Sequence, residues 1–111
     1  MGLGNREKLF EGTGGWGLDF GMSPRETDGF LQVVIQGKDD GYTYLTLVVR
    51  QTSGDPIPVG GVTWAYSAQQ DFERIASCTV PIQKGIGVTV AAIGKRKDSL
   101  LNCRIWWTPL L

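Results

Sequence analysis

The chain has 111 residues, room for one domain and not for two. Eleven basic residues balance eleven acidic ones, which argues against binding nucleic acid or a membrane surface through a basic field. There is no histidine, so the commonest general base, metal ligand and pH switch is missing.

Residues 1–14 are glycine-rich and weakly patterned and are expected to form a flexible arm, with a short extra strand near Lys8–Glu11. Residues 15–111 are expected to form the folded domain. From Trp16 onward apolar residues recur with a period of two, the mark of half-buried strands. In the first run Trp16, Leu18, Phe20 and Met22 share a face. Leu31, Val33 and Ile35 share the next, followed by Leu45, Leu47 and Val49, then Val62, Trp64 and Tyr66. The run over 72–82 places Ala76, Cys78, Val80 and Ile82 together, and Ile75 breaks the parity, which suggests a bulge or an earlier turn. Ile86, Val88, Val90 and Ala92 follow, and then Leu101, Cys103, Ile105 and Trp107.

Turn signals separate these runs: Asp28-Gly29, Asp39-Asp40-Gly41, Ser53-Gly54-Asp55-Pro56, Gly60-Gly61, Lys84-Gly85 and Gly94 to Asp98. They read as hairpin turns. Ala68–Ala76 lacks an apolar stripe and is expected to be a loop or one helical turn. Seven or eight short strands with turns every 8–15 residues predict an all-β single domain, an antiparallel β-sandwich or a barrel.

No apolar run reaches the length of a membrane span, and residues 1–12 lack a signal-peptide core. Cys78 and Cys103 are too few and too far apart for a zinc site; two buried free thiols are expected, with a disulfide as the alternative.

Chemistry-bearing constellations are sparse. Gly12, Gly14 and Gly17 match G-x-G-x-x-G, but a strand pattern follows where a phosphate-binding turn needs a helix. Asp39-Asp40 precedes Gly41 and is read as a turn rather than an acid–base pair. No serine has a histidine or a Ser-x-x-Lys partner, so no nucleophile is activated and no enzyme, metal or cofactor is expected. Lys95-Arg96-Lys97, with Arg104 on the last strand, is the sharpest charge cluster. It is either a solvated loop tip or a contact for an anionic partner such as a phosphate-bearing glycan.

The outward positions are richer than one solvated face requires. Phe30, Val34, Tyr42, Tyr44, Val48 and Trp106 all fall opposite the inward sets. They form a subunit interface, or a glycan-stacking platform, or belong to the core if the parity is shifted by one residue.

Three segments resemble the small jelly-roll domains, similar to C1q and TNF, at the ends of bacteriophage tail fibres and in related virion proteins. They are Asp28-Gly29-Phe30-Leu31-Gln32-Val33, the stretch Cys78 to Val90 around Pro81 and Lys84-Gly85, and Cys103 to Leu110 with its Arg104-Ile105-Trp106-Trp107-Thr108-Pro109 ending. The resemblance implies a jelly-roll fold and a homo-oligomer, usually a trimer. It further implies a structural role in a virion made in the bacterial cytoplasm, contacts with other virion proteins, and a part in attachment to host-surface glycans.

Overall fold

The computed structural model describes residues 2–40, 43–66, 71–94 and 100–111. Eight strands and no helix occur among them: β1 (Glu7–Gly12), β2 (Gly17–Met22), β3 (Gly29–Asp40), β4 (Thr43–Gln51), β5 (Pro58–Tyr66), β6 (Asp71–Ile82), β7 (Val88–Gly94) and β8 (Leu100–Pro109). They build two four-stranded antiparallel sheets, ordered β1-β8-β3-β6 and β2-β7-β4-β5. This is the expected all-β sandwich with jelly-roll connectivity.

The period of two determines what fills the space between the sheets. Leu31, Val33 and Ile35 of β3 are fully buried, as are Leu47 and Val49 of β4, Val90 of β7, and Cys103 and Ile105 of β8. Leu18, Met22, Ala76, Val80, Ile82, Val88, Ala92 and Trp107 join them from their strands' inward positions. Phe10 and Phe20, 5.9 Å apart between centroids, pack at the side of the sandwich where β1 and β2 are the edge strands.

Several expectations change. Residues 7–12 are not an arm but the edge strand β1, paired with β8. The extra strand near Lys8–Glu11 is the reading that holds. Its weak pattern has a cause: Leu9 is an additional residue between the pairs Lys8↔Trp106 and Phe10↔Ile105, so the alternation skips. A second bulge at Leu101, between Asn102↔Gln36 and Leu100↔Gly37, turns Leu100 into the core. Ile75 lies in unbroken register opposite Gln36, with no bulge, and is simply an outward residue, 65% exposed. Trp16 is 63% exposed rather than inward, because β2 starts one residue later.

Most turn signals mark strand ends but mark hairpins poorly. Gly60-Gly61 is no turn but lies inside β5 opposite Val49 and Val48, and the loop expected over 68–76 is strand from Asp71 onward. Only β4 and β5 are both consecutive and paired; each other consecutive pair lies in different sheets. Asp39 and Asp40 are not a hairpin tip: they extend β3 opposite Phe72 and Asp71. Lys84-Gly85 carries the chain from one sheet to the other, with Gly85 at φ 80° and its N–H donated to Arg25 O at 3.0 Å. Gly29 is required by packing, since a Cβ there would sit 2.5 Å from Thr108 O and from the Trp107 ring.

Cys78 and Cys103 lie on β6 and β8, on either side of β3. Two strand spacings separate them by roughly 9–10 Å, beyond disulfide reach. Both are free thiols, and burial pushes both thiol pKa values up, with the Gly14 N–H opposing the shift at Cys103.

Ile105→Ala is expected to cost about 2–5 kcal/mol of unfolding free energy, because the side chain is fully enclosed. Ile93→Ala, at a position 56% exposed, is expected to change it by less than about 0.5 kcal/mol. Urea denaturation of the two variants checks the assignment of faces; equal losses contradict it.

Candidate functional site

The outer face of the β1-β8-β3-β6 sheet carries three of the six outward residues, Phe30, Val34 and Trp106. Register arranges it in rows. Thr108 of β8, Phe30 of β3 and Pro81 of β6 form one. Lys8, Trp106, Gln32 and Thr79 form the next, and Glu11, Arg104, Val34 and Ser77 the third. Asn102, Gln36 and Ile75 form the fourth. Phe30, Val34 and Trp106 are half-buried on this face and Ile75 stands free of cover. Antiparallel neighbours on one face are close enough to act as a single surface.

Charge is organised along one side of it. Glu11 Oε2 accepts from Lys8 Nζ at 3.2 Å and from Arg104 Nε at 3.0 Å. The Lys8 ammonium and the Arg104 guanidinium hold the Glu11 carboxyl below the usual carboxylate range. The Arg6 guanidinium lies 4.4 Å over the Trp106 ring and donates to Gln32 Oε1 at 3.4 Å. Arg6, Lys8 and Arg104 thus set three positive charges against the one carboxylate of Glu11. Such exposed pairs order side chains more than they stabilise the fold.

The six expected interface residues do not form one patch. Phe30, Val34 and Trp106 lie together on this face. Tyr44 and Val48 belong to β4, in the opposite sheet, where Val48 is half-buried between Ala91 and Gly61. Tyr42 lies outside the described residues, and so do Lys95, Arg96 and Lys97. Parity reports which residues point away from the core and not which sheet they belong to. Arg104, grouped with the basic loop from the sequence, is paired with Glu11 on the β8 surface.

For a glycan platform a ring face must be open to a sugar, and Arg6 occupies one on Trp106. Arg6, Lys8, Glu11 and Gln32 are polar and charged members of the face that alternation did not single out. The spacing Lys8-x-x-Glu11 across a bulged strand is the one signal that places two of them side by side. Among the described residues, no group of three or more His, Cys, Asp or Glu side chains could hold a metal ion. No helix among them is long and apolar enough to cross a membrane.

No protein-family model matches the sequence, and no curated protein matches it. Solved structures do. The Eiger TNF of S. frugiperda aligns at TM-score 0.52 with 12% identity over 79% of this chain and 62% of its own. Murine APRIL aligns at TM-score 0.53 with 15% identity over 76% of this chain and 67% of its own. The globular domain of zebrafish complement 1qA aligns at TM-score 0.46 with 15% identity. The chain spans a little over three fifths of the length of the Eiger TNF structure. At these identities the likeness is one of fold: the chain has a TNF-like jelly roll.

The lowered Glu11 pKa has a signed consequence. A carboxylate favoured in the folded state contributes stability above its unfolded pKa and loses it as pH falls through the folded one. Glu11→Gln is therefore expected to be slightly less stable than the parent at neutral pH. The gap should close in acid, as followed by thermal unfolding across pH. A gap that persists in full once all carboxylates are protonated contradicts the ion-pair reading.

Proposed function

We propose that this chain is a non-enzymatic jelly-roll module that assembles with copies of itself, as a homotrimer, through the outer face of the β1-β8-β3-β6 sheet. The observation that carries the reading is the grouping of Phe30, Val34, Trp106 and Ile75 on that one face. Apolar and aromatic surface of this kind is stabilised by removal from water, and a closed ring of copies removes it without leaving an open end. Trimeric assembly is what the resemblance to C1q- and TNF-like virion domains implies, and the TNF-like fold supports it.

The same resemblance supports a finer reading: a structural component of a bacteriophage virion, in the tail fibre, at the tail tip or associated with the capsid. Such a component is made in the bacterial cytoplasm, contacts other virion proteins and contributes to host-surface attachment. The three segments that carry it are the openings or endings of β3, β6–β7 and β8. They are the parts of the fold that shape the proposed interface and the end of the sandwich beside it.

Light scattering of the purified chain at tens of micromolar is expected to give three times the 12.1 kDa chain mass. Ile75→Asp places a charge on the face at an exposed position where the fold does not depend on the side chain. It is expected to weaken association by at least about tenfold. A monomeric parent, or an Ile75→Asp variant with unchanged mass, overturns the proposal.

A further inference from the structure

A cleft of about 440 Å³ opens at the end of the sandwich where β3 begins and β6 ends, and it shares Phe30 and Pro81 with the first row of the proposed interface. Its size is in the range of small-molecule sites. Phe30, Pro81 and Ile86 are among its apolar walls, and Asp28, Gln51 and Gln83 are its side-chain hydrogen-bonding groups. Hydrogen bonds across the surrounding loops build it before any ligand arrives. Lys84 N–H donates to Asp28 Oδ1 at 2.8 Å, Leu110 N–H to Asp28 O at 2.8 Å, and Thr52 N–H to Gly87 O at 2.9 Å.

The hydrogen-bonding character of the cleft is one-sided. Gln51 Nε2 already donates to Ser53 O at 2.9 Å and Asp55 O at 3.1 Å, which leaves its Oε1 as an acceptor. The Asp28 carboxylate has acceptor sites beyond the one that Lys84 N–H takes. Gln83 adds one amide that both donates and accepts. No Lys or Arg lines the cleft, so an anion would meet a carboxylate and no counter-charge. A purely apolar ligand would desolvate three polar side chains without replacing their hydrogen bonds. The ligand that fits has several neutral hydroxyl donors and an apolar C–H face to lay on Phe30 and Pro81.

We propose that this cleft is a binding site for a neutral saccharide ring. The site lies within one chain and adjoins the face proposed for assembly at Phe30 and Pro81. Asp28 and Gln51 accept from sugar hydroxyls, Gln83 bonds a further one, and Phe30 receives the C–H face.

The test is a ¹H–¹⁵N chemical-shift titration of the whole chain with methyl α-D-mannopyranoside, methyl β-D-galactopyranoside and N-acetylglucosamine, with choline chloride and inorganic phosphate as comparison probes. Light scattering on the same samples reads assembly separately. Saturable shifts are expected for at least one sugar, centred on Gly29, Gln83 and the Gln51 and Gln83 side-chain amides. Asp28→Asn, which keeps an acceptor for Lys84 N–H, and Gln83→Ala, at an exposed position, are each expected to weaken that sugar about fivefold with the fold and the mass unchanged. No saturable shift with any sugar, shifts scattered over the surface, or binding of choline or phosphate in place of the sugars overturns the proposal.

Discussion

β3 is bonded on both sides, to β6 and to β8, while its inward side chains Leu31, Val33 and Ile35 are wholly removed from water. Both ladders and the core therefore depend on one register. A slip of a single residue on β3 would expose all three side chains and drive Gln32, Val34 and Gln36 inward. The opposite sheet answers with Leu47, Val49 and Val90, so that two alternations interlock across one interior. The same register fixes the outer surface, because every inward residue of β3 and β8 commits its neighbours to the rows that hold Phe30, Val34, Arg104 and Trp106.

That alternation is also why so much of the fold can be read from the chain. Six of the seven inward sets are supported at described positions, from Leu18 to Trp107, because burial on one side of a pleated strand leaves a period of two and nothing else in this sequence does. The failures are as physical as the successes. β1 escaped the pattern through the bulge at Leu9, and Trp16 was counted inward because a residue just outside a strand can match its parity by chance. Turn residues such as Asp28-Gly29 and Lys84-Gly85 reverse the chain equally well within a sheet or between two. They therefore gave strand ends without pairing partners, and the hairpins expected from them are mostly crossings between sheets.

The candidate face shows the same limit. Outward apolar residues were recognised, but their division between two sheets depends on long-range pairing that no local pattern encodes. Phe30, Val34 and Trp106 came together; Val48 went to the far side. The charged members were hidden for a further reason: Arg6, Lys8 and Glu11 sit in a stretch whose composition suggests a loose arm. Only pairing with β8 brings Glu11 to Arg104 and Arg6 over Trp106. The resulting surface combines exposed apolar groups with a charge excess along one edge, a combination suited to a specific contact rather than to indiscriminate sticking. The cleft at its end was not legible at all, since its walls come from five separate loops and strand ends.

Two exposed apolar sites compete as contact surfaces: the face with Phe30, Val34, Trp106 and Ile75, and the opposite sheet with Ile93 beside the exposed Trp16. Hydroxyl-radical footprinting read by mass spectrometry distinguishes them across a dilution series. If copies meet through the β1-β8-β3-β6 face, Trp106, Phe30 and Ile75 lose reactivity as concentration rises while Trp16 and Ile93 keep theirs. Unchanged reactivity at Trp106 and Ile75, or protection at Trp16 and Ile93 instead, contradicts that assignment.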